Sequence, residues 1–263
     1  MINELNENYE NKAFLTENAL VEYVRAVTSD GSRPFYLDNK IGWVRTEPTA
    51  WSNYILYANF EPASVDEEIE KIIVQMKEDR LPNQWLVGPK SNPSNLCEKL
   101  IEHGFEAFYD MAGMVLDLDS ANLDFSLPEG VEIREVTDFD QLEVWANVIS
   151  LGLWNGDPFE AKLFEKLLGR PEYKFYVAYL NGQPVTSSML QIVDGIAAVD
   201  MLATLREHWR KGIGTAMLKT PLAYARKMGC KLAVLQASQA GEHGYRKVGF
   251  EEVCKFHVFR LRK

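Results

Sequence analysis

One stretch constrains the fold more than any other. An apolar run over 196–203 is followed by a short turn of charged residues and glycines, then by an amphipathic run over 215–228. The first run reads as a buried strand and the second as a helix. Strand, glycine-bearing turn and helix start together make an anion site, because the turn's backbone N–H groups and the positive end of the helix converge. Gly212 and Gly214 allow close backbone approach and dihedrals closed to residues with a Cβ. Many strand-to-helix turns carry glycines without a ligand, so this turn takes its weight from the residues downstream of it.

After the helix come Gly229, placed as a C-cap, a strand over 231–235, a turn over 236–241, a short helix and an alternating strand over 255–261. Two runs in this region resemble the GNAT acyltransferase superfamily, and the resemblance extends over residues 128–263. Leu202-Ala203-Thr204-Leu205-Arg206-Glu207-His208-Trp209-Arg210-Lys211-Gly212-Ile213-Gly214 is the ungapped counterpart of that family's strand-to-loop pattern, I-A-V-D-P-E-Y-R-G-K-G-I-G. Gly244-Tyr245-Arg246-Lys247-Val248-Gly249-Phe250 matches its second signature, L-Y-e-k-x-G-F.

The resemblance implies a mixed α/β sheet of the acyl-CoA N-acyltransferase fold, with acetyl-CoA as cofactor. It implies that Trp209, Arg210, Lys211, Gly212, Ile213, Gly214 and Thr215 hold the pyrophosphate. Backbone from Met201 through Leu202, Ala203 and Thr204 would polarise the thioester carbonyl and track the pantetheine amides. Tyr245 would give the proton to the leaving thiolate, and Ser238 stands where the family often has an Asn for the pantetheine arm. Trp209 stands where the family has Arg or Gln, with Arg210 one place later. Pro221 falls inside the loop's helix and predicts a kink.

Acyl transfer to an amine needs a polarised carbonyl, a neutral amine and a proton for the thiolate. Asp200 is the charged residue within the otherwise apolar strand. Buried there, its pKa would rise as a base requires. A carboxylate binding a cationic acceptor, or one facing solvent, are the alternatives, and many family members use a water chain instead. Glu207, His208 and His243 read as surface or capping residues. The resemblance places acceptor recognition in the loop holding Trp154, Asp157 and Phe159. There the aromatics make either an apolar wall or core, and Asp157 either holds an ammonium group or caps the next helix.

Ahead of this unit the polar run 117–130, broken by Pro128 and Gly130, reads as a linker. It divides the chain into 1–127 and 128–263. After it a strand over 131–134, a helix capped by Thr137 or Asp138, a helix over 159–168 and a hairpin turning at Asn181-Gly182 give the order of a whole GNAT domain. The first half reads as a GNAT-like copy: a strand over 54–60, a helix over 66–79, a strand over 85–88, a helix over 93–102, Gly104-Phe105 and a strand over 111–118. Between its first strand and helix stands Glu61-Pro62-Ala63-Ser64-Val65-Asp66-Glu67-Glu68, an acidic run that repels pyrophosphate.

Charge divides the same way. Residues 1–129 hold 10 Lys and Arg against 23 Asp and Glu, a net of −13, whereas residues 130–263 hold 18 against 15, a net of +3. The basic half is the one with the anion loop, and the acidic half disfavours nucleic acid or an anionic membrane as partner. No run approaches a membrane span, and Met1-Ile2-Asn3-Glu4 is unlike a signal peptide. Cys97, Cys230 and Cys254, odd in number and far apart, argue against disulfides or a metal site and fit the cytoplasm. The expectation is an acetyl-CoA-dependent N-acyltransferase for a primary amine of a small molecule or peptide, as a monomer or homodimer. The alternatives are a non-catalytic acyl-CoA sensor and an aminoacyl transferase of tandem GNAT-like fold.

Overall fold

The computed structural model describes residues 9–49 and 51–262, so Met1-Ile2-Asn3-Glu4 lies outside the described residues. The first half runs through helix α1 (Tyr9–Thr28), strands β1 (Phe35–Leu37), β2 (Ile41–Val44) and β3 (Tyr54–Ala58), helix α2 (Val65–Lys77), strand β4 (Gln84–Val87), helix α3 (Leu96–Glu102) and strand β5 (Phe105–Asp117). The second runs through β6 (Val131–Glu135), α4 (Phe139–Leu153), β7 (Tyr173–Leu180), β8 (Gln183–Val193) and β9 (Ile196–Thr204). It ends with α5 (Ile213–Lys227), β10 (Leu232–Ser238), α6 (Gln239–Val248) and β11 (Glu251–Leu261).

The helix-Gly-Phe pattern takes one shape twice. Helices α3 and α6 each end at a glycine in the left-handed region, Gly104 at φ 89° and Gly249 at φ 110°. A side chain there would strain the backbone, so glycine turns the chain into the next strand. Those next strands, β5 and β11, are exchanged between the halves. The sheet order is β1-β2-β3-β4-β11-β5-β10-β9-β8-β7-β6. From β1 to β7 the order is palindromic about the β11–β5 pair. Strand β11 pairs antiparallel with β4 of the first half, and β5 pairs antiparallel with β10 of the second. Phe256 of β11 is fully buried and clusters with Leu86 of β4. Burying one such ring contributes roughly 1.5–3 kcal/mol.

Each half holds one parallel pair next to an exchanged strand. In the second half β9 and β10 pair from Ile196 with Leu232 to Ala198 with Val234. Beyond that point they part: β9 continues along β8, and β10 along β5. In the first half β3 and β4 pair at Ile55 with Trp85, but the chain after β4 returns to seal the gap. Asn92 N–H donates to Ala58 O (2.8 Å), and Phe60 N–H donates to Asn92 O (3.0 Å).

Helix α1 crosses the middle of the sheet. Its Ala19 shares a buried cluster with Ala198 and Val234, and its Tyr23 belongs to the cluster that includes Met189 and Met201. Helix α4 covers the same face, its Trp145 joining the Tyr23 cluster; α5 and α6 cover the other. Asp138 caps α4, its carboxylate accepting from Gln141 N–H at 2.9 Å. The sequence does not announce α1, and two expectations shift. The helix over 159–168 is two 3-10 turns, Ala161–Leu163 and Glu165–Leu167. Phe164 between them is wedged among Tyr23, Trp51 and Trp145, which fixes the break. Strand β10 runs on to Ser238 where the sequence predicts a turn, because β5 pairs with it to the end. Helix α5 runs without interruption through the buried Pro221.

Candidate active site

The loop after β9 is built from its backbone. Chain leaving Thr204 makes a 3-10 turn, Arg206–His208, and is tied back by the Trp209 indole, whose Nε1–H donates to Thr204 O at 2.6 Å. Arg210 at φ 60° and Gly212 at φ 79° are both left-handed, and Gly212 is the N-cap of α5. Ala216 N–H donates to Gly212 O (3.1 Å), which leaves the N–H groups of Ile213, Gly214 and Thr215 without a helical acceptor. A Cβ at Gly214 would stand 3.1 Å from Thr204 Oγ1, so the glycine lets α5 start against the strand end. Exposed Trp209, Arg210 and Lys211 flank these amides. Free amides, a helix N-terminus and two cations suit a diphosphate.

Next to the loop the two parallel strands open a slot. On one arm Met201, at φ 52°, forms a bulge: Asp200 pairs with Met189 and Ala203 with Ser187, and Met201 and Leu202 have no register partner. Ser187 Oγ–H donates to Met201 O (3.2 Å). The bulge takes Met201 and Leu202 out of register with β8, and the splay carries them away from β10. Thr204 Oγ1 accepts from Thr186 Oγ1 at 3.2 Å. On the other arm Ser238 ends β10 exposed, its hydroxyl capping no amide of α6.

Tyr245 leans across α6 with its ring edge-on to Phe250 (6.0 Å). A Cβ on Gly241 would lie 2.9 Å from that ring, so Gly241 makes the room for it. Sequence reasoning misses both Gly241 and Tyr23; a glycine four residues before the motif Tyr is the available signal for the first. Asp200 is half-buried at the slot, and burial pushes its carboxyl up to about 7. Burial first, and then the Asp200 charge, push the Tyr245 phenol well above its ordinary range. The same two causes raise Tyr23, a fully buried residue whose hydroxyl has no hydrogen-bond partner among the described residues. The Asp200 charge thus acts on both Tyr245 and Tyr23.

The acceptor-loop candidates sit beside this group. Trp154 stacks on Phe159 (5.2 Å, 17°), and Phe159 stacks on Phe164 (5.3 Å, 21°). Both are half-buried against the cluster containing Tyr23 and Met201. Asp157 is exposed, and its carbonyl accepts from Ser150 Oγ–H at 2.7 Å. Glu160, not Asp157, stands at the N-cap position of the first 3-10 turn, and its side chain makes no capping bond. Glu160 also pairs with Arg33 of the first half and takes Thr49 Oγ1–H at 3.3 Å, which docks the loop on that half. Glu207 and His243 are exposed and His208 is half-buried.

A cavity of about 430 Å³, lined by Lys12, Asp117, Asn122, Gly249 and Glu251, lies where Asp117 pairs with Leu232. That is the closed end of the β9–β10 pair, away from the slot. Among the described residues no metal-binding group of acids, His and Cys occurs, the three cysteines are free, and no helix is long and apolar enough to cross a membrane.

Residues 139–250 match the profile of the acetyltransferase (GNAT) family. No curated protein sequence matches the chain. Among solved structures it is similar to a GCN5-related N-acetyltransferase from Kribbella flavida, with 20% identity over 93% of this chain and 95% of that one, TM-score 0.68. It is also similar to a functionally unknown conserved protein from Staphylococcus epidermidis, with 17% identity over 90% and 98% of the two chains, TM-score 0.60. A tandem GNAT protein from the clavulanic acid biosynthesis pathway shares 13% identity over 83% of this chain and 77% of that one, TM-score 0.60. The loop, the slot and the matched segment coincide, and the chain carries a GNAT-family acetyltransferase domain over residues 139–250 within a GNAT fold.

Proposed function

We propose that the protein moves an acetyl group from acetyl-CoA to a primary amine of a small molecule or peptide, both bound at once. The observation that carries this is the slot between β9 and β10, opening beside a helix start whose amides are free. Ile213, Gly214 and Thr215 N–H groups, with Arg210 and Lys211, hold the pyrophosphate. Trp209 fixes the loop to Leu202-Ala203-Thr204, and Ser238 takes the pantetheine arm from the other side. N–H groups at the Met201–Leu202 bulge meet the thioester oxygen where negative charge develops.

Asp200, poised near neutrality, takes one proton from the acceptor's ammonium group. The amine nitrogen then forms its bond to the carbonyl carbon, the C–S bond breaks with its electron pair on sulfur, Tyr245 gives that sulfur a proton, and the second proton shed by the acylated nitrogen restores the phenol. Trp154, Asp157 and Phe159 flank the acceptor's approach. The first half, 1–127, serves as a wall without a cofactor: it is acidic where 128–263 has its loop, and Asn92 fills the gap between β3 and β4. Three free cysteines suit a cytoplasmic setting.

The test is isothermal titration of acetyl-CoA into wild type and Gly212→Glu/Gly214→Glu. Micromolar binding by wild type, lost in the variant through repulsion and clash, is the expected result. Absence of binding by wild type overturns the reading.

A further inference from the structure

We infer that helix α1 completes the acceptor site: the Tyr23 hydroxyl and the Asp200 carboxylate hold one ammonium group between them, and the acceptor is a monoamine on an aromatic body. This rests on the acyl-transfer reading above and extends it to residues outside the family-matched segment.

Helix α1 lies on the face of the sheet that carries Asp200. Met189 lies directly opposite Asp200 on β8, Met201 follows Asp200 on β9, and both methionines belong to the buried cluster that holds Tyr23. One turn back on α1, Ala19 shares a smaller cluster with Ala198, two residues before Asp200 on the same face of β9. Tyr23 is near enough for the Asp200 charge to act on its phenol.

Two polar groups meet there without protein partners. Tyr23 is fully buried and its hydroxyl bonds to nothing among the described residues. Asp200 owes its perturbation to burial alone, with no hydrogen bond or neighbouring cation to hold its charge. Buried polar groups are normally satisfied, so an unpartnered buried hydroxyl and a half-buried carboxylate held by no other group call for a ligand. An ammonium group donates to both oxygens and supplies the missing positive charge.

The surroundings select what carries that group. Tyr23 lies 4.7 Å from Trp51, ring to ring. Tyr54 packs against the Tyr23 cluster and against that of Leu86 and Phe256, and its hydroxyl meets that of Tyr109 at 2.6 Å. Aromatic faces favour a cation and an aryl or apolar body. At the buried end, however, Asp200 is the one carboxylate placed beside Tyr23 among the described residues, Asp157 being exposed. Glu17 of α1 is turned toward Gly88 and accepts Lys90 N–H at 2.7 Å, and Glu22 pairs with Arg25. A polycation would bury further charges with no counter-charge.

The full-length protein is assayed for thiol release from acetyl-CoA with 2-phenylethylamine and with spermine, in wild type and Tyr23→Phe. Wild type is expected to favour 2-phenylethylamine by at least about tenfold in kcat/KM. Tyr23→Phe is expected to raise KM for that amine about tenfold, leaving KM for acetyl-CoA and kcat nearly unchanged. Its Tm should stay level or rise, since only an unpartnered hydroxyl is removed. An unchanged amine KM, a lowered Tm, a preference for spermine, or no turnover of 2-phenylethylamine by protein that binds acetyl-CoA each overturns the inference. Failure to bind acetyl-CoA at all instead overturns the acyl-transfer reading beneath it.

Discussion

The Trp209 indole donates to the Thr204 carbonyl across 2.6 Å, which closes the anion loop onto the end of β9. Trp209 stands where related loops carry Arg or Gln, so a positive charge is exchanged for a brace. Arg210 and Lys211, exposed next to it, retain the charge. Trp209→Phe keeps a ring and loses the donor. A neutral hydrogen bond contributes about 0.5–1.5 kcal/mol. The dissociation constant for acetyl-CoA should therefore rise about two- to tenfold in a titration, and Tm should hardly move because Trp209 is largely exposed.

Gly241 makes a sharper test of Tyr245. Alanine there suits a helix but sets a Cβ 2.9 Å from the Tyr245 ring, which must swing away. Gly241→Ala should lower kcat about tenfold or more with acetyl-CoA affinity retained, because the ring is displaced while the loop is untouched. Tyr245→Phe keeps the ring and loses the proton, so kcat should fall about a hundredfold or more. Single-turnover rates beside titrated affinities separate the two effects. Equal kcat in wild type and Tyr245→Phe would remove the phenol from the chemistry.

The anion loop is legible in the sequence because its signal is local: Gly212 and Gly214 are demanded by backbone geometry, and neighbours in sequence supply the charge. The same holds for the hairpin turn, where Asn181 and Gly182 both take positive φ. Helix α1 is legible in principle, since Ala13, Thr16, Leu20, Tyr23, Val24 and Val27 fall at helical spacing. Its many Asn and Glu residues mask that stripe. The partnership of Tyr23 with Asp200 is not legible, because 177 positions separate them. Nor is the exchange of β5 and β11, whose alternating patterns suit either neighbour equally well.

Asp200 gives the site its pH dependence. If it is the base, kcat/KM for the acceptor should climb through about pH 7, and Asp200→Asn should lose both the limb and most of the rate. Stability runs the other way. The folded pKa, about 7, lies above the ordinary 3.8, so the folded state holds the proton more tightly. That contribution is complete below about pH 4 and is lost as pH rises to about 7. Asp200→Asn should therefore melt higher than wild type at pH 8, and the difference should vanish near pH 4. A wild-type melting curve independent of pH across that window would contradict a buried carboxyl.

The exchanged strands decide whether the GNAT-matched half stands alone. Strand β5 pairs with β10 along its full length, from Leu232 with Asp117 to Ser238 with Met111. It also pairs with β11 from Glu251 with Val115 to Leu261 with Phe105. A fragment of residues 128–263 lacks β5, so β10 and β11 each lose their shared neighbour, and α6 loses Leu116, which packs under Gly249. The apolar side chains Met114 and Leu116 also leave the cluster that backs α5 and α6. Two unpaired central edges with apolar faces invite association. The fragment should aggregate or form mixed oligomers on a sizing column and show no cooperative melting transition. Supplying residues 1–127 in trans should restore a single transition. If the fragment melts cooperatively as a monomer, β11 can close on β10 directly, and the exchange adds nothing essential to the fold.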